Sequence, residues 1–528
     1  MAFWTGVTAC TTGVALHLPM YFGARDMHYK LSGMAPDASM IVGMILIFIG
    51  LGLSLYGVLP RRSGEVQRNV AHIRVTALDD AKIRTEHVLL LIVMALAVTI
   101  DIMKPTTLAF VAPGVAAEYG LRSPANPHGS IPVSWLPLMG ITGTVVGSWM
   151  WGEIGDRIGR RASILYAGIL FVSTSICGAM PGFTWNLVMC FLMGVGAGAM
   201  LPIIFALVAE TIPARHRGWL MVLIGGDIAG AYVITSSLAG WLTPTYSWRM
   251  LWLIGLPTGL VLILLNRWIP ESPRYLLARG RDAEAGAVMA RYGAVAQVVP
   301  EEEAAAEQQF AARASYLTLM RRPLIGTSLA LTILGVGVGL VTYGFTQWVP
   351  TNLQHLGYSA VGSDYVVRNA ALLGLPLTVL VAWMYGTLGS RRTIILLSGL
   401  TALTLLGFVF TGGSYLAHHK TVLSLLLVPP LAGISAIVAV VAGYAAEVYP
   451  TMVRSRGTGL AAGMTKAGGV LILAIVVASK NVPSITVTAL IGAIPLLMAA
   501  VAFAFAGPET KQRTLEDITG ELAAAAQA

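Results

Sequence analysis

The stretch ETIPARHRG at residues 210–218 returns in altered form as EVYPTMVRSRG at residues 447–457. The two copies begin 237 positions apart (447 − 210), and each joins a glutamate, a proline and an arginine in the same order. A second pair stands upstream, GEIGDRIGRR at 152–161 and GTLGSRR at 386–392, offset by 234 positions (386 − 152). Long apolar runs surround all four segments. A sequence that repeats its charged segments in this way is typical of a duplicated bundle of membrane helices, and it predicts a transporter.

The composition excludes an ordinary soluble domain. Hydrophobic residues make up 56% of the chain, charged residues only 11%, and the mean hydropathy is +0.74. A soluble surface cannot be built from this balance. The sequence therefore predicts an all-α polytopic membrane protein with fourteen spanning helices. The apolar runs of spanning length are 3–21, 38–58, 88–113, 132–151, 162–181, 185–208, 219–241, 247–269, 325–349, 369–387, 393–411, 421–446, 458–479 and 484–506.

The basic residues are distributed unevenly among the loops. Of the 34 lysines and arginines, 25 fall in alternate loops and in the C-terminal tail. Cytoplasmic loops carry an excess of lysine and arginine. We therefore expect a protein of the cell (plasma or inner) membrane with both termini in the cytoplasm. The formal net charge of +9 then follows from topology and does not indicate nucleic-acid binding.

The order of the runs divides the chain into five regions. Residues 1–87 hold two extra helices and a basic linker, 88–269 one six-helix bundle, 270–322 a cytoplasmic loop, 323–507 a second six-helix bundle, and 508–528 a tail. We number the helices of the two bundles as core helices 1 to 12. The cytoplasmic loop contains EEEAAAEQQFAARASYL, whose alanine and glutamate content predicts surface helices. Two bundles joined by a loop indicate a carrier whose halves rock against each other.

The GEIGDRIGRR loop joins core helices 2 and 3, and in this position it resembles the signature of the major facilitator superfamily. The resemblance implies two six-helix bundles and an inter-bundle latch made by the aspartate and the arginines of this loop. The latch positions are Gly152, Asp156, Arg157, Gly159, Arg160 and Arg161. In the second copy Ser390 stands at the place of Asp156, so a symmetrical latch is not expected.

Two further segments, PESPRYLLARGR from residue 270 and PETKQRTLEDI from residue 508, resemble signatures of the sugar-porter-like branch of that superfamily. The branch also contains carriers of organic acids, nicotinate and organic ions. The resemblance implies cytoplasmic ion-pair networks that hold the two bundles together and open as they rock. The residues implied are Glu210, Arg217, Glu271, Arg274, Glu447, Arg454 and Glu509.

Core helices 1 and 7 narrow the resemblance further. YGFTQWVPTNLQHLGYS in core helix 7 and TIDIMKPTTLAFVAPGVAAEYGL in core helix 1 are similar to the aromatic-acid and nicotinate carriers, which are proton symporters. The glutamine pattern of true sugar porters is missing from core helices 5 and 7. Aromatic-acid carriers have two aspartates three positions apart in core helix 1. Asp101 matches the first, but Lys104 replaces the second.

Charged side chains inside the predicted spans are costly and usually functional. They are Asp101, Lys104, Asp227 and Lys466. Asp101 is the candidate for proton coupling, because a carboxyl in a low dielectric can load and release a proton. Lys104 and Lys466 are candidates for attracting a carboxylate substrate. Alternatively, Lys104 forms a static pair with Asp101, which lies three positions away on the same helix.

The sequence thus predicts alternating-access transport of a small organic anion, favouring an aromatic or heteroaromatic carboxylate, with protons as the coupling ion. Residues expected to contact the substrate besides the lysines are Asp227, Tyr343, Gln347, Trp348 and Tyr444. Two alternatives stay open: a carrier of a sugar, polyol or organic cation, and a non-transporting membrane receptor or scaffold on a carrier fold. An enzyme, a cofactor or a metal is not expected, because no nucleophile–base pair, metal cluster or phosphate-binding loop stands in the sequence. The expected partners are the substrate, protons and the lipid bilayer. The sequence leaves the oligomeric state open.

Overall fold

The fold is described from a computed structural model of the chain. It describes residues 1–59, 73–77, 83–123, 126–198, 200–298, 316–322, 324–449, 454–479 and 483–510. The α-helices are α1 (Ala2–Ala15), α2 (Leu18–Gly23), α3 (Ala38–Val58), α4 (Thr85–Tyr119), α5 (Trp135–Ile158), α6 (Arg160–Thr174), α7 (Phe183–Ala197), α8 (Met200–Thr211), α9 (Ala214–Gly225), α10 (Ile228–Tyr246), α11 (Arg249–Leu253), α12 (Gly255–Leu265), α13 (Pro273–Ala278), α14 (Asp282–Tyr292), α15 (Tyr316–Leu319), α16 (Ile325–Leu340), α17 (Val349–His355), α18 (Ala360–Leu388), α19 (Ser390–His418), α20 (Lys420–Val428), α21 (Ile434–Val448), α22 (Arg454–Ser479) and α23 (Ile485–Ala506). The strands are β1 (Ile73–Ala77) and β2 (Ala294–Val298).

Eleven helices in the described part of the chain are long and apolar enough to cross a membrane, so this is a multi-pass membrane protein. They correspond to eleven of the fourteen predicted runs. The count of fourteen is not confirmed. The run 3–21 divides into α1 and α2, the run 185–208 divides into α7 and α8, and the run 132–151 lies in α5, which is not among the eleven.

Short polar side chains set where several of these helices begin. The carboxylate of Asp37 accepts a hydrogen bond from the backbone of the first turn of α3, and the hydroxyls of Ser359 and Ser484 do the same for α18 and α23. Such N-caps satisfy backbone N–H groups that have no partner inside the helix. Each cap therefore fixes the point at which a loop turns into a spanning segment.

Two of the seams along which the halves meet are images of each other. In one, α10 (core helix 5) packs against α18 (core helix 8). In the other, α5 (core helix 2) packs against α22 (core helix 11). When the two halves are exchanged, core helix 5 corresponds to core helix 11 and core helix 8 to core helix 2. Each seam is therefore the image of the other. A duplicated bundle with a pseudo-two-fold axis requires this relation.

The extra helices α1 and α3 pack closely on each other and against α6 of the first bundle. Their contact is lined by glycine: a Cβ atom at Gly13 would lie 2.6 Å from the carbonyl oxygen of Gly43, and one at Gly50 would lie 2.8 Å from the backbone nitrogen of Cys10. Small residues let helix backbones approach closely in a membrane. The two extra helices thus pack tightly on each other, and both contact the first bundle through α6.

A buried carboxylate ties the loop between the extra helices to the core. Glu118, near the end of α4, accepts hydrogen bonds from the backbone nitrogens of Leu31 (2.7 Å) and Ser32 (3.1 Å). It also accepts a hydrogen bond from Trp248 Nε1 (3.0 Å). Arg249 forms a bidentate ion pair with it, at 2.6 and 3.2 Å. The side chains of Arg249 and Glu118 are 0% and 4% exposed. Sequence reasoning did not identify this cluster.

A two-stranded sheet departs from the all-α prediction. Strand β1 precedes core helix 1 and pairs antiparallel with β2, which follows core helix 6, so that Ile73 lies opposite Val298. In the same region, His87 Nε2 lies 3.0 Å from the carbonyl oxygen of Tyr292. Both strands fall in segments predicted to be cytoplasmic. Residues 301–315, where surface helices were predicted, lie outside the described residues.

Candidate functional site

Core helix 7 is broken in the middle. It ends as α16 at Leu340, passes through a π turn (Val341–Phe345) and a 3₁₀ turn (Thr346–Trp348), and resumes as α17. The 3₁₀ turn and α17 pack against α4 of the opposite bundle. Gln347 Nε2 and Trp348 Nε1 are buried there without a hydrogen-bond partner among the described residues. Breaks of this kind in transporter helices supply polar groups at mid-membrane.

Asp101 on α4 faces the second bundle. It is 4% exposed, and its Oδ1 atom has no hydrogen-bond partner in the described part of the protein. Its charge interacts with that of Lys466 on α22 and with the hydroxyl of Tyr343 in the π turn. Both partners come from the other bundle, so the carboxyl lies at the boundary between the halves.

The side chain of Lys466 reaches from α22 of the second bundle into the first bundle. Its ammonium group donates to the hydroxyl of Ser148 and lies 3.5 Å from the carbonyl oxygen of Thr144, both on α5, and 3.4 Å from the carbonyl oxygen of Gly198. All three acceptors belong to the first bundle. Lys466 therefore links the halves through neutral oxygens and through the charge of Asp101.

Tyrosine rings lie beside these charges from both sides. Tyr343 packs over Gly469 of α22, and its hydroxyl interacts electrostatically with that of Tyr232 on α10. Tyr232 is buried, and its ring centroid lies 6.4 Å from that of Phe110 on α4. We call Asp101, Tyr232, Tyr343 and Lys466 the central cluster. Sequence reasoning missed Tyr232, although a tyrosine within the apolar run of core helix 5 was the available signal.

Lys104 does not join the central cluster. No ion pair links it to Asp101, although both residues are described. Its ammonium group lies against Gly255 of α12 and 5.5 Å from the centroid of the Phe171 ring. The two residues are three positions apart, which is about 300° around a helix, so their side chains diverge by about 60°. The static pair of the sequence analysis is not formed, and the two lysines do not meet.

Asp227 and Tyr444 also lie apart from the cluster. Asp227 sits at the break between α9 and α10 and accepts a hydrogen bond from the hydroxyl of Thr99. Tyr444 donates from its hydroxyl to the carbonyl oxygen of Pro508 (2.9 Å), in the segment that follows core helix 12. Tyr444 therefore contacts the segment after core helix 12 and not the central cluster, and its contact with substrate stays a prediction.

A glutamate caps the start of core helix 3. Glu271 Oε1 accepts hydrogen bonds from the backbone nitrogens of Arg160 (2.8 Å), Arg161 (3.4 Å) and Ser272 (3.0 Å). Gly159 turns the chain with a φ of 96°, and a Cβ atom there would lie 2.5 Å from Glu271 Oε2. Burial raises the pKa of Glu271, and the three backbone donors lower it in part.

The second bundle repeats this cap at the start of core helix 9. Glu509 Oε1 accepts from the backbone nitrogen of Ser390 (2.8 Å), and Gly389 has a φ of 99°. Gly389 therefore corresponds to Gly159, an offset of 230 positions (389 − 159), and Ser390 corresponds to Arg160. The assignment of Ser390 to the place of Asp156 was wrong because the sequence does not show which glycine makes the turn. In the corrected register Gly386 stands at that place.

The described contacts of the glutamates run within one bundle. Glu447 Oε2 accepts from the hydroxyls of Tyr385 and Thr510, each at 2.7 Å, all in the second half. Glu271 and Glu509 likewise join helices of their own bundle. The other proposed gating side chains lie outside the described part of the structure: Gly152, Asp156, Arg157, Glu210, Arg217, Arg274 and Arg454. Inter-bundle ion pairs at this end therefore stay a prediction.

Comparison with known families decides the class. Residues 89–470 match the sequence profile of the Major Facilitator Superfamily. The chain belongs to this superfamily. Its members are transporters of small molecules, not enzymes, and the resemblance noted in the sequence is confirmed.

Individual relatives of the superfamily match over most of the chain. The niacin transporter NiaP of Acinetobacter baylyi is 27% identical over 84% of this chain and 99% of its own. The 4-hydroxybenzoate transporter PcaK of Pseudomonas putida is 27% identical over 71% of this chain and 82% of its own. Among solved structures, the proton:xylose symporter XylE superimposes with a TM-score of 0.64 at 18% identity, over 83% of this chain and 99% of that one. The XylE match shows the fold alone.

Proposed function

We propose that the protein is a secondary active transporter of a small organic anion, favouring an aromatic or heteroaromatic carboxylate, and that it works by alternating access with proton symport. The observation that carries the proposal is that Asp101 and Lys466, from opposite bundles, lie at the boundary close enough for their charges to interact. A carboxyl and an ammonium at mid-membrane are costly unless they serve a substrate or an ion.

The central cluster offers a route to coupling. With no substrate bound, Lys466 is the positive charge that interacts with the Asp101 carboxyl across the boundary. A substrate carboxylate that binds Lys466 competes for the same ammonium, so Asp101 is released to take up a proton. Both charges are then neutralised, and the bundles can rock past each other at lower cost. Proton and anion would therefore move together in one direction.

The substrate class follows from the groups around the charges. Tyr232 and Tyr343 present rings from opposite bundles, and such rings suit a flat aromatic body. Gln347 and Trp348 add N–H donors near α4 that have no partner among the described residues, and such donors suit a substrate with acceptor atoms. The names of the relatives, transporters of niacin and 4-hydroxybenzoate, support the same class.

The decisive experiment is uptake into proteoliposomes under an imposed pH gradient. Nicotinate and 4-hydroxybenzoate should accumulate when the outside is acidic, whereas xylose and choline should not. Nicotinamide, which has the ring of nicotinate without its charge, should compete poorly. Accumulation of xylose or choline instead would favour the sugar or cation alternative. Saturable binding without flux for any of them would favour a receptor.

Two substitutions test the assigned roles. Asp101→Asn should abolish uphill, pH-driven uptake but retain exchange of labelled for unlabelled substrate. Lys466→Gln should raise the KM for nicotinate at least tenfold, and the exposed Lys30→Gln serves as the matched control. Uphill uptake that survives Asp101→Asn would remove the proton role. Unchanged nicotinate affinity in Lys466→Gln would remove the anion site.

The proposal includes an orientation. Loops rich in lysine and arginine mark the cytoplasmic face, so both termini, the β1–β2 sheet and the two glutamate caps would lie in the cytoplasm. Glu118 and the loop before α3 would then lie outside. Cysteine accessibility on either side of intact cells would test this assignment.

A further inference from the structure

A pocket lies between the turn that follows α2 and the end of α10, and it shares no residue with the central cluster. Its volume is about 680 Å³, within the range of roughly 300–1,000 Å³ that is usual for small-molecule sites. One wall is formed by Phe22, Arg25, His28 and Tyr29, and the other by residues 243–248. Every described lining residue belongs to the first half of the chain. The pocket is therefore not part of the boundary between the bundles, where the proposed transport path runs.

The two walls of the pocket are joined to each other. The Tyr21 hydroxyl donates to the carbonyl oxygen of Tyr246 at 2.6 Å, and the Tyr21 ring stacks on that of Tyr29 with centroids 4.8 Å apart. Glu118 accepts from Trp248 Nε1 in one wall and from the backbone of the loop that continues the other. Groups fixed in this way bind a ligand without a large cost of ordering.

The backbone of the pocket is unusual at three positions. His28, Tyr29 and Ser247 have φ values of 54°, 57° and 64°. Apart from glycine, no other residue in the described part of the chain has a positive φ. Such conformations are uncommon for residues with a side chain, and they cluster at ligand sites. That all three line one pocket favours a binding role over a purely structural one.

The pocket carries positive charge without a matching carboxylate. Arg25 and His28 are exposed, and neither side chain forms an ion pair or hydrogen bond with another described residue, the neighbouring Asp26 included. No aspartate or glutamate is among the described lining residues. The nearby Glu118 is already paired with Arg249. The pocket therefore offers a guanidinium and an imidazole to an anion, and a guanidinium matches the geometry of phosphate.

Apolar side chains lead from the pocket into the membrane. Ile234 and Trp241 are exposed on α10, and their spacing of seven positions, followed by four more to Thr245 in the pocket, keeps all three on one face. Phe22 and Tyr246 at the pocket itself are exposed as well. Tyr246 ends a spanning segment, and tryptophan and tyrosine at such ends mark the membrane–water interface. The pocket thus lies at the level of the lipid headgroups.

We propose that this pocket binds the headgroup of one anionic phospholipid, with the phosphate on Arg25 and His28. A guanidinium can hold a phosphate through two parallel N–H bonds, and basic pockets between spanning helices suit anionic headgroups. The acyl chains lie along the exposed face of α10. A soluble anion would gain the contacts with Arg25 but none with this face, so a lipid is favoured. The bound lipid bridges the extra helices and core helix 5.

Native mass spectrometry tests the site without any transport assay. The purified protein is released from micelles that contain equal amounts of phosphatidylglycerol and phosphatidylcholine. One phosphatidylglycerol should stay bound in preference to phosphatidylcholine. The double variant Arg25→Gln/His28→Gln should weaken this binding about tenfold, since it removes charge-assisted bonds to the phosphate. The matched control Lys30→Gln removes an exposed cation that does not line the pocket, and it should retain the lipid. Glycerol 3-phosphate, which lacks acyl chains, should not displace it.

Three results would overturn the site. Equal retention of the two lipids would mean that a negative headgroup is not selected. Unchanged binding in the double variant would place the lipid elsewhere. Displacement by glycerol 3-phosphate would assign the pocket to a soluble anion.

A measurement on the wild type covers the case in which the double variant yields too little protein. Cryo-electron microscopy in phosphatidylglycerol nanodiscs should show headgroup density between Arg25 and Trp248, and an empty pocket would reject the site. Because every readout is lipid binding, failure here leaves the proposed transport function standing, and the reverse also holds.

Discussion

Replacing Glu118 by alanine is expected to loosen the first bundle and to free the loop between the extra helices. The carboxylate accepts five hydrogen bonds, two of them from the Arg249 guanidinium and two from the backbone of Leu31 and Ser32. After substitution Arg249 keeps its bonds to the carbonyl oxygens of Gly178 and Met180 but loses its counter-charge.

The size of the effect follows from burial. The Arg249–Glu118 pair is 2.6 Å long with side chains 0% and 4% exposed. Removing one partner of such a pair costs about 3–5 kcal/mol, since the other charge stays buried and unpaired. For a cooperative unit of the size of one bundle, each kcal/mol lowers the unfolding temperature by about 2–4 °C. We therefore expect a fall on the order of 10 °C.

The assay is thermal unfolding in detergent, combined with limited proteolysis. Glu118→Ala should unfold earlier and should be cleaved between α2 and α3 at protease concentrations that spare the wild type. The matched control is Glu284→Ala, which breaks a pair of the same length, 2.6 Å, whose side chains are 50% and 59% exposed. That control should produce no measurable shift. Equal shifts in the two variants would refute the reasoning from burial.

Three further outcomes are expected at the capped ends. Gly389→Ala should lower the free energy of unfolding by about 1–3 kcal/mol, because a φ of 99° suits glycine. The control is Gly386→Ala, at a helical position where a Cβ would meet no atom within 4 Å, and it should leave the free energy of unfolding unchanged. Chemical denaturation compares the two variants. Burial raises the pKa of Glu271 above its ordinary value of 4.5. Between the ordinary and the raised pKa the folded state binds more protons than the unfolded state, so stability falls as pH rises through this range. Glu271→Gln should flatten that slope in unfolding measured from pH 4 to 8, and an unchanged slope would assign it to another group. Tyr444→Phe should cost about 1 kcal/mol of stability and leave the KM for substrate unchanged in uptake assays, whereas a raised KM would return Tyr444 to the substrate site.

Hydropathy and the duplicated segments predicted most of the fold. Eleven apolar runs became spanning helices, because burying backbone groups in lipid leaves few options besides a helix. The glutamates after core helices 6 and 12 were predicted to gate through ion pairs between the bundles, and that role stays a prediction. The cap that Glu271 and Glu509 form in the same way in each half was not predicted. The β1–β2 sheet was missed because its two five-residue strands are more than two hundred positions apart.

The arrangement of the candidate site residues was predicted only in part, and their role in transport stays a prediction. Asp101 and Lys466 converge, together with Tyr343, and charge inside a span was the signal that singled out the first two. The pair of Lys104 with Asp101 was expected because the two residues are three positions apart on one helix. That spacing leaves their side chains about 60° apart, and the sequence does not show which neighbouring helix each side chain contacts. Glu118 escaped notice because its partner Arg249 is 131 positions away and each alone looks like a residue at a loop boundary.

The two glutamate caps also show where the two halves differ in length. From the turn glycine to the glutamate is 112 positions in the first half (271 − 159) and 120 in the second (509 − 389). The second half is thus eight positions longer over this stretch (120 − 112). Seven of the eight lie before α20, which starts 31 residues after Gly389, whereas the corresponding α7 starts 24 residues after Gly159. This stretch includes Gly412, where α19 departs from helical geometry with a φ of 72°. The difference in length therefore lies mainly between the turn glycine and the start of α20, which makes the segment around the kink at Gly412 a suitable position for inserting an epitope or a fluorescent reporter.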